Sequence, residues 1–410
     1  MLDLAILVAW SEFAIRWLHV ITGIAWIGSS FYFIALDLGL RKAADMPDKA
    51  SGEEWQVHGG GFYHITKYMV APERLPEHLV WFKWESYATW LSGFALLVVV
   101  YYLGAEFYLI DPAVMDLSVW QAVLISMGSL VFGWIAYDLL CKSRFGDDNT
   151  RLMIFLFCVL VVMSWGYTQV FSGRAALLHL GAFTATIMSA NVFMIIIPNQ
   201  KIVVEDLKAD RAPDPKYGKI AKQRSTHNNY LTLPVLFLML SNHYPLAFAS
   251  QYNWLIAALV FLMGVTIRHF FNSMHAKKGE PYWTWGATAV IFLIIVWLSS
   301  IGVPEDRDDD MSQAIPPGLQ KFALAEGFEE AHQVIVGRCS MCHAAEPGWP
   351  GLYWPPNGVK LVTPEDLILN ATEVYLQSGV THAMPPGNLS YMEEDERALI
   401  RSWYRAAQAF

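Results

Sequence analysis

Eight runs of mostly apolar residues follow one another along the first three quarters of the chain. They cover residues 11–38, 80–104, 118–141, 152–172, 174–198, 229–250, 254–275 and 282–303. A membrane-spanning helix needs about 20 such residues, and a buried helix of a soluble domain would not recur in this way. The pattern predicts an all-α fold in which residues 1–303 form an eight-helix transmembrane bundle.

The composition supports this prediction. Hydrophobic residues make up 55% of the chain and charged residues only 16%, whereas soluble domains average about 25% charged residues. The first ten residues lack the basic segment of a cleavable signal peptide, so we expect the first span to be retained. The net charge of −9 argues against a nucleic-acid partner and favours docking to basic or neutral proteins.

The C-terminal quarter contains the sequence GRCSMCH at positions 337–343. Such a motif could bind zinc, act as a redox dithiol, or attach a haem. The remaining cysteines, Cys141 and Cys158, lie in or beside apolar runs, so a second pair of zinc ligands is missing, and no βαβ pattern accompanies the motif. C-x-x-C-H is typical of covalent haem c, with Cys339 and Cys342 bonded to the vinyl groups and His343 ligating the iron.

A second axial ligand for the haem iron is available downstream. In the sequence THAMPPGNLS, two prolines follow Met384 and favour an extended turn that could present its thioether to the iron. His382 is the alternative ligand, and a buried core methionine is the alternative role for Met384. Helical spacing of apolar residues before the motif and at the C-terminus completes the pattern. We therefore predict a class I cytochrome c domain at 321–410, joined by an acidic, proline-rich periplasmic linker at 304–320.

Two arguments predict the same orientation. Haem c is attached outside the bacterial plasma membrane, which places the C-terminus in the periplasm, and an even number of spans then places the N-terminus there too. Independently, Lys and Arg concentrate in the loops after the first, third, fifth and seventh spans, whereas the other loops carry only Arg174. The predicted location is the bacterial inner membrane, with multiple spans in contact with lipid and a periplasmic cytochrome.

Ionisable residues within the outer half of the spans suggest a second haem. Arg16, His19 and Gly23 fall on one helical stripe of the first span, and the glycine would leave room for a flat ring. His179 lies at a similar predicted depth, so His19 and His179 are candidate ligands of a haem b. His243 is a further candidate, and the alternative is that these histidines form hydrogen bonds between helices.

A second polar group is predicted on the cytoplasmic side, and its candidate catalytic residues are Glu85, Asn228, Asn229, Arg268 and His269. Arginine binds anions in a bidentate manner, and amides and aromatic rings suit a planar polar ligand. The structural alternative is a simple ion pair between Glu85 and Arg268. The nearby sequence HGGGFYH, with His58 and His64 around three glycines, is predicted to form a re-entrant or interfacial segment.

The order of these motifs resembles one family. The sequences RWLHVITGIAWIGSSFYF, HGGGFYHITKY, APERLPEHLVWFKWESYATWLSGF and RSTHNNYLTLPVLFLMLSNHYP, followed by a terminal C-x-x-C-H domain, resemble the bacterial membrane-bound urate hydroxylases with a fused cytochrome c. The resemblance covers almost the whole chain. It implies hydroxylation of urate to 5-hydroxyisourate, with water as the oxygen source and electrons passed to the haem c.

The expected mechanism places urate against an arginine and amide groups, with Glu85 or a histidine as the base. Electrons would leave through a haem b, if present, and the haem c to a periplasmic soluble cytochrome c or a terminal oxidase. Two other functions remain open at this point. The chain could be a non-catalytic electron-transfer subunit of a dehydrogenase, or a urate transporter with an accessory cytochrome.

Overall fold

The computed structural model describes residues 4–69, 72, 75–301, 315–352 and 354–409. Within these ranges the chain is mostly helical. The α-helices of the N-terminal part are α1 Leu4–Gly39, α2 Trp84–Leu96, α3 Ala105–Tyr108, α4 Val119–Lys142, α5 Asn149–Thr168, α6 Gly173–Ala190, α7 Ile197–Lys208, α8 Pro215–Ser241, α9 Pro245–Phe248, α10 Asn253–His275 and α11 Trp283–Ile301. Two π-helical segments, Leu97–Tyr102 and Asn191–Ile196, continue α2 and α6, and a 3-10 turn spans Arg144–Asp147.

A helix occupies each of the eight predicted apolar runs. Six helices of the described chain are long and apolar enough to cross a membrane by length and composition: α1, α4, α5, the continuous helix Gly173–Lys208, α10 and α11. The two that fall outside this set are α2, which changes to π-helix after 13 residues, and α8. The six helices are compatible with a membrane protein, and the count of eight spans stays a prediction.

The helix α8 differs most from its predicted boundaries. The apolar run predicted a span at 229–250, but the helix begins at Pro215 and ends at Ser241. Its first half carries polar residues, among them Arg224 and His227, and both are buried. Packing against neighbouring helices, rather than local hydropathy, places this polar half inside the protein.

The segment around the three glycines is a β-hairpin, a two-stranded sheet that the all-α prediction did not include. Its predicted re-entrant or interfacial location stays a prediction. Strand β1 Ala50–His58 pairs antiparallel with β2 Gly61–Tyr68. Gly59 and Gly60 form the turn with φ of 60° and 79°. Two consecutive residues with positive φ are typical of the tight turns that join twisted antiparallel strands, and glycine adopts them without steric cost.

The core of the N-terminal part is centred on α6. Its buried residues pack against α4, α5, α8 and α10, and they form one hydrophobic cluster with Leu160, Leu238 and Phe261. The outer surfaces of α1, α4 and α11 expose many large apolar side chains, including Trp17, Phe132 and Trp297. An apolar outer surface of this kind matches contact with lipid.

The C-terminal part has a separate hydrophobic cluster. Its α-helices are α12 Gln320–Leu324, α13 Phe328–His343, α14 Pro364–Leu369, α15 Ala371–Val374 and α16 Glu394–Ala407, with 3-10 turns at Pro317–Leu319, Pro356–Gly358 and Pro386–Asn388 and a π-helix at Tyr375–Val380. The predicted helices before the motif and at the C-terminus are confirmed. Helix α16 packs on α13, and buried Trp403 donates from Nε1 to the carbonyl of Phe322 at 3.0 Å.

The C-terminal part contacts the helical bundle near the beginning of α1. The hydroxyl of Tyr108 donates to the Glu373 carboxylate at 2.9 Å, and Ala5 packs against the C-terminal hydrophobic cluster. Most of the predicted linker 304–320, namely residues 304–314, lies outside the described residues. The start of α1, the loop after α2 and the C-terminal part therefore lie at the same end of the molecule.

Candidate functional site

The C-x-x-C-H motif forms the last turn of α13. Cys339 is buried in the C-terminal core, and Cys342 and His343 are partly exposed. The imidazole of His343 bonds through Nδ1 to the carbonyl of Val359 at 2.8 Å, which holds the ring and leaves Nε2 available for a metal. Burial, followed by the neighbouring Cys342, raises the pKa of the Cys339 thiol to about 12. A redox dithiol needs a thiol that ionises readily, so these residues fit thioether attachment of haem better.

The Met384 loop is held by a buried arginine. Arg397 of α16 is 3% exposed, and its Nη1 donates to the carbonyls of Ser378 at 2.6 Å and Met384 at 3.0 Å. Its Nη2 donates to the side-chain oxygen of Asn388 at 3.4 Å. These bonds join the segment 378–388, which contains Met384, to the helix α16. His382, the alternative ligand, is exposed and lies beside Glu394.

The predicted ligation of a haem iron by Met384 requires this loop, so we expect Arg397→Gln to weaken that ligation without preventing the predicted haem attachment. The substitution leaves loop carbonyls without a donor, at a cost of about 1–3 kcal/mol in the free energy of unfolding. Loss of the methionine–iron absorption band and a lower haem potential should follow, because a Met/His pair raises the potential. Arg405→Gln, an exposed position on the same helix, is the matched control. An unchanged band and potential in Arg397→Gln would show that the loop does not depend on this residue.

The two histidines predicted to bind a haem b have different surroundings. His179 is fully buried between Tyr101 and Phe171, and its two ring nitrogens bond to the carbonyl of Ala175 and the hydroxyl of Ser126, each at 2.8 Å. Ligation of a haem iron by either ring nitrogen of His179 would break the hydrogen bond that this nitrogen forms. The structure thus favours the alternative of hydrogen bonds between helices for His179.

His19 faces α2 instead. Its Nδ1 lies 3.0 Å from the Thr89 carbonyl, and its ring packs so closely on Gly93 that a Cβ there would lie 2.8 Å from Cε1. The small residue opposite the ring is thus Gly93 rather than Gly23. His19 and His179 bond to different partners, and haem b stays a prediction. His243 is exposed at the end of α8.

The buried polar group centres on two arginines, and the first is Arg268 of α10, which is 6% exposed. Its Nε donates to Asn229 at 3.3 Å and its Nη2 to Asn272 at 3.0 Å, and its guanidinium lies 4.1 Å from the ring centroid of Phe31. The predicted ion pair with Glu85 is not formed. Within the described residues, no carboxylate lies within ion-pair distance of Arg268, so its charge is buried against neutral amides and an aromatic ring.

The second arginine, Arg224 of α8, has a counter-ion. It is 2% exposed, and its Nη2 bonds to Asp138 at 2.7 Å. Around it, Tyr137 bonds to Nδ1 of His227 at 2.7 Å, and Asn191 donates to both Tyr137 and Asn228. Asn228 also donates to the Met188 carbonyl at 2.9 Å. Asn228 therefore belongs to the Arg224 side of the site, and its neighbour Asn229 to the Arg268 side.

Four buried polar atoms of this region have no hydrogen-bond partner: Glu85 Oε2, Arg224 Nε, His227 Nε2 and Asn229 Nδ2. Glu85 lies in the first turn of α2, and the following residue Ser86 contacts Ser189 at 3.4 Å, two residues before Asn191. A buried donor or acceptor without a partner costs about 1–3 kcal/mol. Several such atoms in one region are typical of a site that is completed by a ligand or water.

His269 differs from Arg268 in its surroundings. Its side chain is exposed, and its ring centroid lies 6.2 Å from that of Trp283. Consecutive helical residues point about 100° apart, so Arg268 and His269 leave α10 in different directions, and a role of His269 in the site stays a prediction.

Several residues of the site were absent from the predicted set: Phe31, Tyr137, Asp138, Asn191, Arg224 and Asn272. The spacing of Asn272, four residues after Arg268, is a signal that could have identified it. Arg224 was excluded because the apolar run placed it outside the span. Tyr137 and Asn191 reach the site only through packing of α4 and α6 against α8.

A comparison with known protein families identifies one match. The family model described as urate oxidase, N-terminal, matches residues 5–299. No curated protein and no solved structure matches the chain significantly. The match covers the helical bundle with the polar site and ends before the C-x-x-C-H part.

Proposed function

The chain belongs to the urate oxidase N-terminal family, and from this premise we propose that it is a membrane-bound oxidoreductase that hydroxylates urate to 5-hydroxyisourate. Its own haem c would accept the electrons. Family membership supports an oxidoreductase acting on urate at a general level. The apolar helices and the C-x-x-C-H part support the more detailed proposal.

The uncompensated charge of Arg268 carries the proposal. Urate is a flat monoanion near neutral pH, and a buried anion needs a permanent cation. An arginine guanidinium stays protonated in proteins, and the described neighbours of Arg268 are neutral. Arg224 is already paired with Asp138, and Arg16 with Glu12. Among these three arginines, Arg268 is thus the one that a bound anion would neutralise.

The surrounding groups complete a binding site for a planar heterocycle. The free Nδ2 of Asn229 can donate to a ring carbonyl, and the ring of Phe31 offers an aromatic surface. Glu85 and His227 each have a buried atom without a partner, so either can accept a proton from urate or from the attacking water. Water supplies the oxygen, and the urate monoanion and water together release one proton and two electrons as neutral 5-hydroxyisourate forms.

The C-terminal part supplies the residues for the electron acceptor. Cys339 and Cys342 would hold the haem covalently, with His343 and Met384 as the axial ligands. A haem held there supplies a one-electron carrier to a periplasmic soluble cytochrome c or a terminal oxidase. Arg397 keeps the Met384 loop in place, and Val359 orients the His343 ring.

We further propose that the cytochrome part and the N-terminus are periplasmic, in the bacterial inner membrane. The contacts of Tyr108 and Ala5 with the C-terminal part support this, since they lie where α1 begins. Reporter fusions after residue 215 should be cytoplasmic and those at residue 410 periplasmic. The opposite pattern would contradict both the orientation and the count of eight spans.

The experiment that tests the proposed activity is turnover of urate by the purified protein in ¹⁸O-labelled water, with a soluble cytochrome c as acceptor. We expect 5-hydroxyisourate that carries the label and acceptor reduction with two electrons per urate. An electron-transfer subunit would show no urate turnover. A transporter would accumulate urate in proteoliposomes without oxidising it, and either result would reject the proposal.

A further inference from the structure

A polar pocket lies outside the site around Arg268. It has a volume of about 490 Å³ and opens between the last turn of α1, strand β1 and the end of α10. Arg41, Glu54, Trp55, His275 and Lys277 are among the residues that line it. Pockets for small ligands have volumes of roughly 300–1,000 Å³. The lining combines cations, a carboxylate and an aromatic ring, as expected for a polar ligand with a flat ring.

Three buried polar atoms of this pocket have no hydrogen-bond partner. They are Nη2 of Arg41, Oε2 of Glu54 and Nδ1 of His275. The other groups of the first two residues are occupied: Arg41 Nη1 donates to the carbonyl of Leu40 at 2.8 Å, and Glu54 Oε1 accepts from Gln56 at 3.0 Å. Arg41 and Glu54 line one pocket without forming an ion pair with each other. Half-buried side chains of opposite charge that line one pocket and stay apart suit a ligand that bonds to both.

The free atoms define the chemical class of that ligand. Arg41 offers a charged donor and Glu54 a charged acceptor, so the ligand must present a carbonyl or an anionic nitrogen together with an N–H group. A simple anion such as phosphate would be repelled by Glu54. A ring in which N–H and C=O groups alternate, as in urate and other ureides, satisfies both residues.

A glycine keeps the carboxylate in this position. A Cβ at Gly39 would lie 2.2 Å from Glu54 Oε2, closer than any non-bonded contact allows. Any larger residue at position 39 would displace the Glu54 side chain from its place in the pocket. The end of α1 is therefore shaped around this carboxylate.

The pocket lies on the same pair of helices as Arg268. Phe31 of α1 contacts Arg268 of α10. The pocket residue Ala35 lies one turn after Phe31 on α1, and the pocket residue His275 lies two turns after Arg268 on α10. Seven helical residues span about 10 Å. We propose that this pocket is the cytoplasmic entry site, where Arg41 and Glu54 hold the ureide ring of the substrate before it reaches Arg268. The inference rests on the proposed urate oxidation and adds a second binding site to it.

Three variants test the entry site: Arg41→Gln, Glu54→Gln and Gly39→Ala. The first two remove one charge each, and the third displaces Glu54 without changing any charge. With urate and a soluble cytochrome c as acceptor, we expect the KM of each variant to rise about ten-fold, with a much smaller change in kcat. Arg144→Gln, an exposed arginine on the same predicted side, is the matched control and should leave KM unchanged.

The outcomes separate this inference from the proposed function. If the wild type oxidises urate and all three variants keep its KM while retaining haem and their unfolding temperature, the pocket is not an entry site. If the wild type does not oxidise urate, equilibrium dialysis with radiolabelled urate decides. Binding of urate to the wild type that is lost in Glu54→Gln would support a ureide site in this pocket. Equal binding by the wild type and Glu54→Gln, or no binding by the wild type, would overturn it. Should Arg41→Gln fail to fold, the other two variants give the same test.

Discussion

Cys342→Ser should produce a protein without covalent haem and without urate-dependent reduction of a soluble cytochrome c. Serine cannot form a thioether, and we expect Cys339 alone not to be sufficient for attachment of the haem. Haem staining on a denaturing gel measures the attachment, and acceptor reduction measures the electron transfer. This is the largest effect that we expect from a single substitution.

The matched control is Cys158→Ser. Cys158 is a free, exposed cysteine on α5 and lies far from the motif in sequence. It should keep both the stain and the activity of the wild type. Haem staining that persists in Cys342→Ser would reject the proposed attachment. Urate-dependent reduction that persists without the stain would show that electrons leave by another route.

Arg268→Gln should raise the KM for urate about ten- to a hundred-fold, because a charged hydrogen bond to a buried anion contributes about 1.5–3 kcal/mol. Glutamine keeps a donor of similar reach but removes the charge. The haem content should not change, since Arg268 contacts only Asn229, Asn272 and Phe31 among the described residues. Steady-state kinetics over a range of urate concentrations measures the effect.

Arg16→Gln is the control for Arg268→Gln. Arg16 is partly exposed on α1 and already paired with Glu12, so its replacement should leave the KM for urate within about two-fold of wild type. The reverse result, normal KM in Arg268→Gln and a high KM in Arg16→Gln, would place the urate site at the opposite end of the bundle.

The positions of the long helices could be predicted from the sequence because hydropathy acts over whole helices. Each of the eight apolar runs contains a helix, and the terminal helix α16 buries Ile400, Trp403 and Tyr404 as their spacing predicted. The exception was α8. Its N-terminal half is polar in sequence, and only the packing against α6, α7 and α10 and the side-chain bonds to α4 show that it is buried.

The site was harder to predict because it depends on rotation about the helix axis. Asn228 and Asn229 are adjacent in sequence, yet one bonds towards Asn191 and the other towards Arg268. In the same way, Arg268 is buried whereas His269 is exposed. Neighbouring residues of a helix point about 100° apart, so they can face different parts of the protein. Hydropathy indicates how deep a residue lies along the helix, but it does not indicate the direction in which its side chain points.

The hairpin shows a different limit. Its strands carry exposed aromatic side chains such as Trp55 and Phe62, which also suit a segment at the membrane surface. Only the positive φ angles of Gly59 and Gly60, together with the pairing of the two strands, distinguish the hairpin from such a segment. The pocket beneath it could therefore not be expected from the sequence.

The most direct test of the central claim is anaerobic addition of urate to the purified, oxidised protein while the haem absorption bands are recorded. The account predicts that urate reduces the haem c without oxygen. About half an equivalent of urate per haem is needed if haem c is the only acceptor, since each haem takes one electron, and about one equivalent per haem c if a haem b is also present. Bands that stay oxidised, while urate is consumed only when oxygen is admitted, would contradict the account.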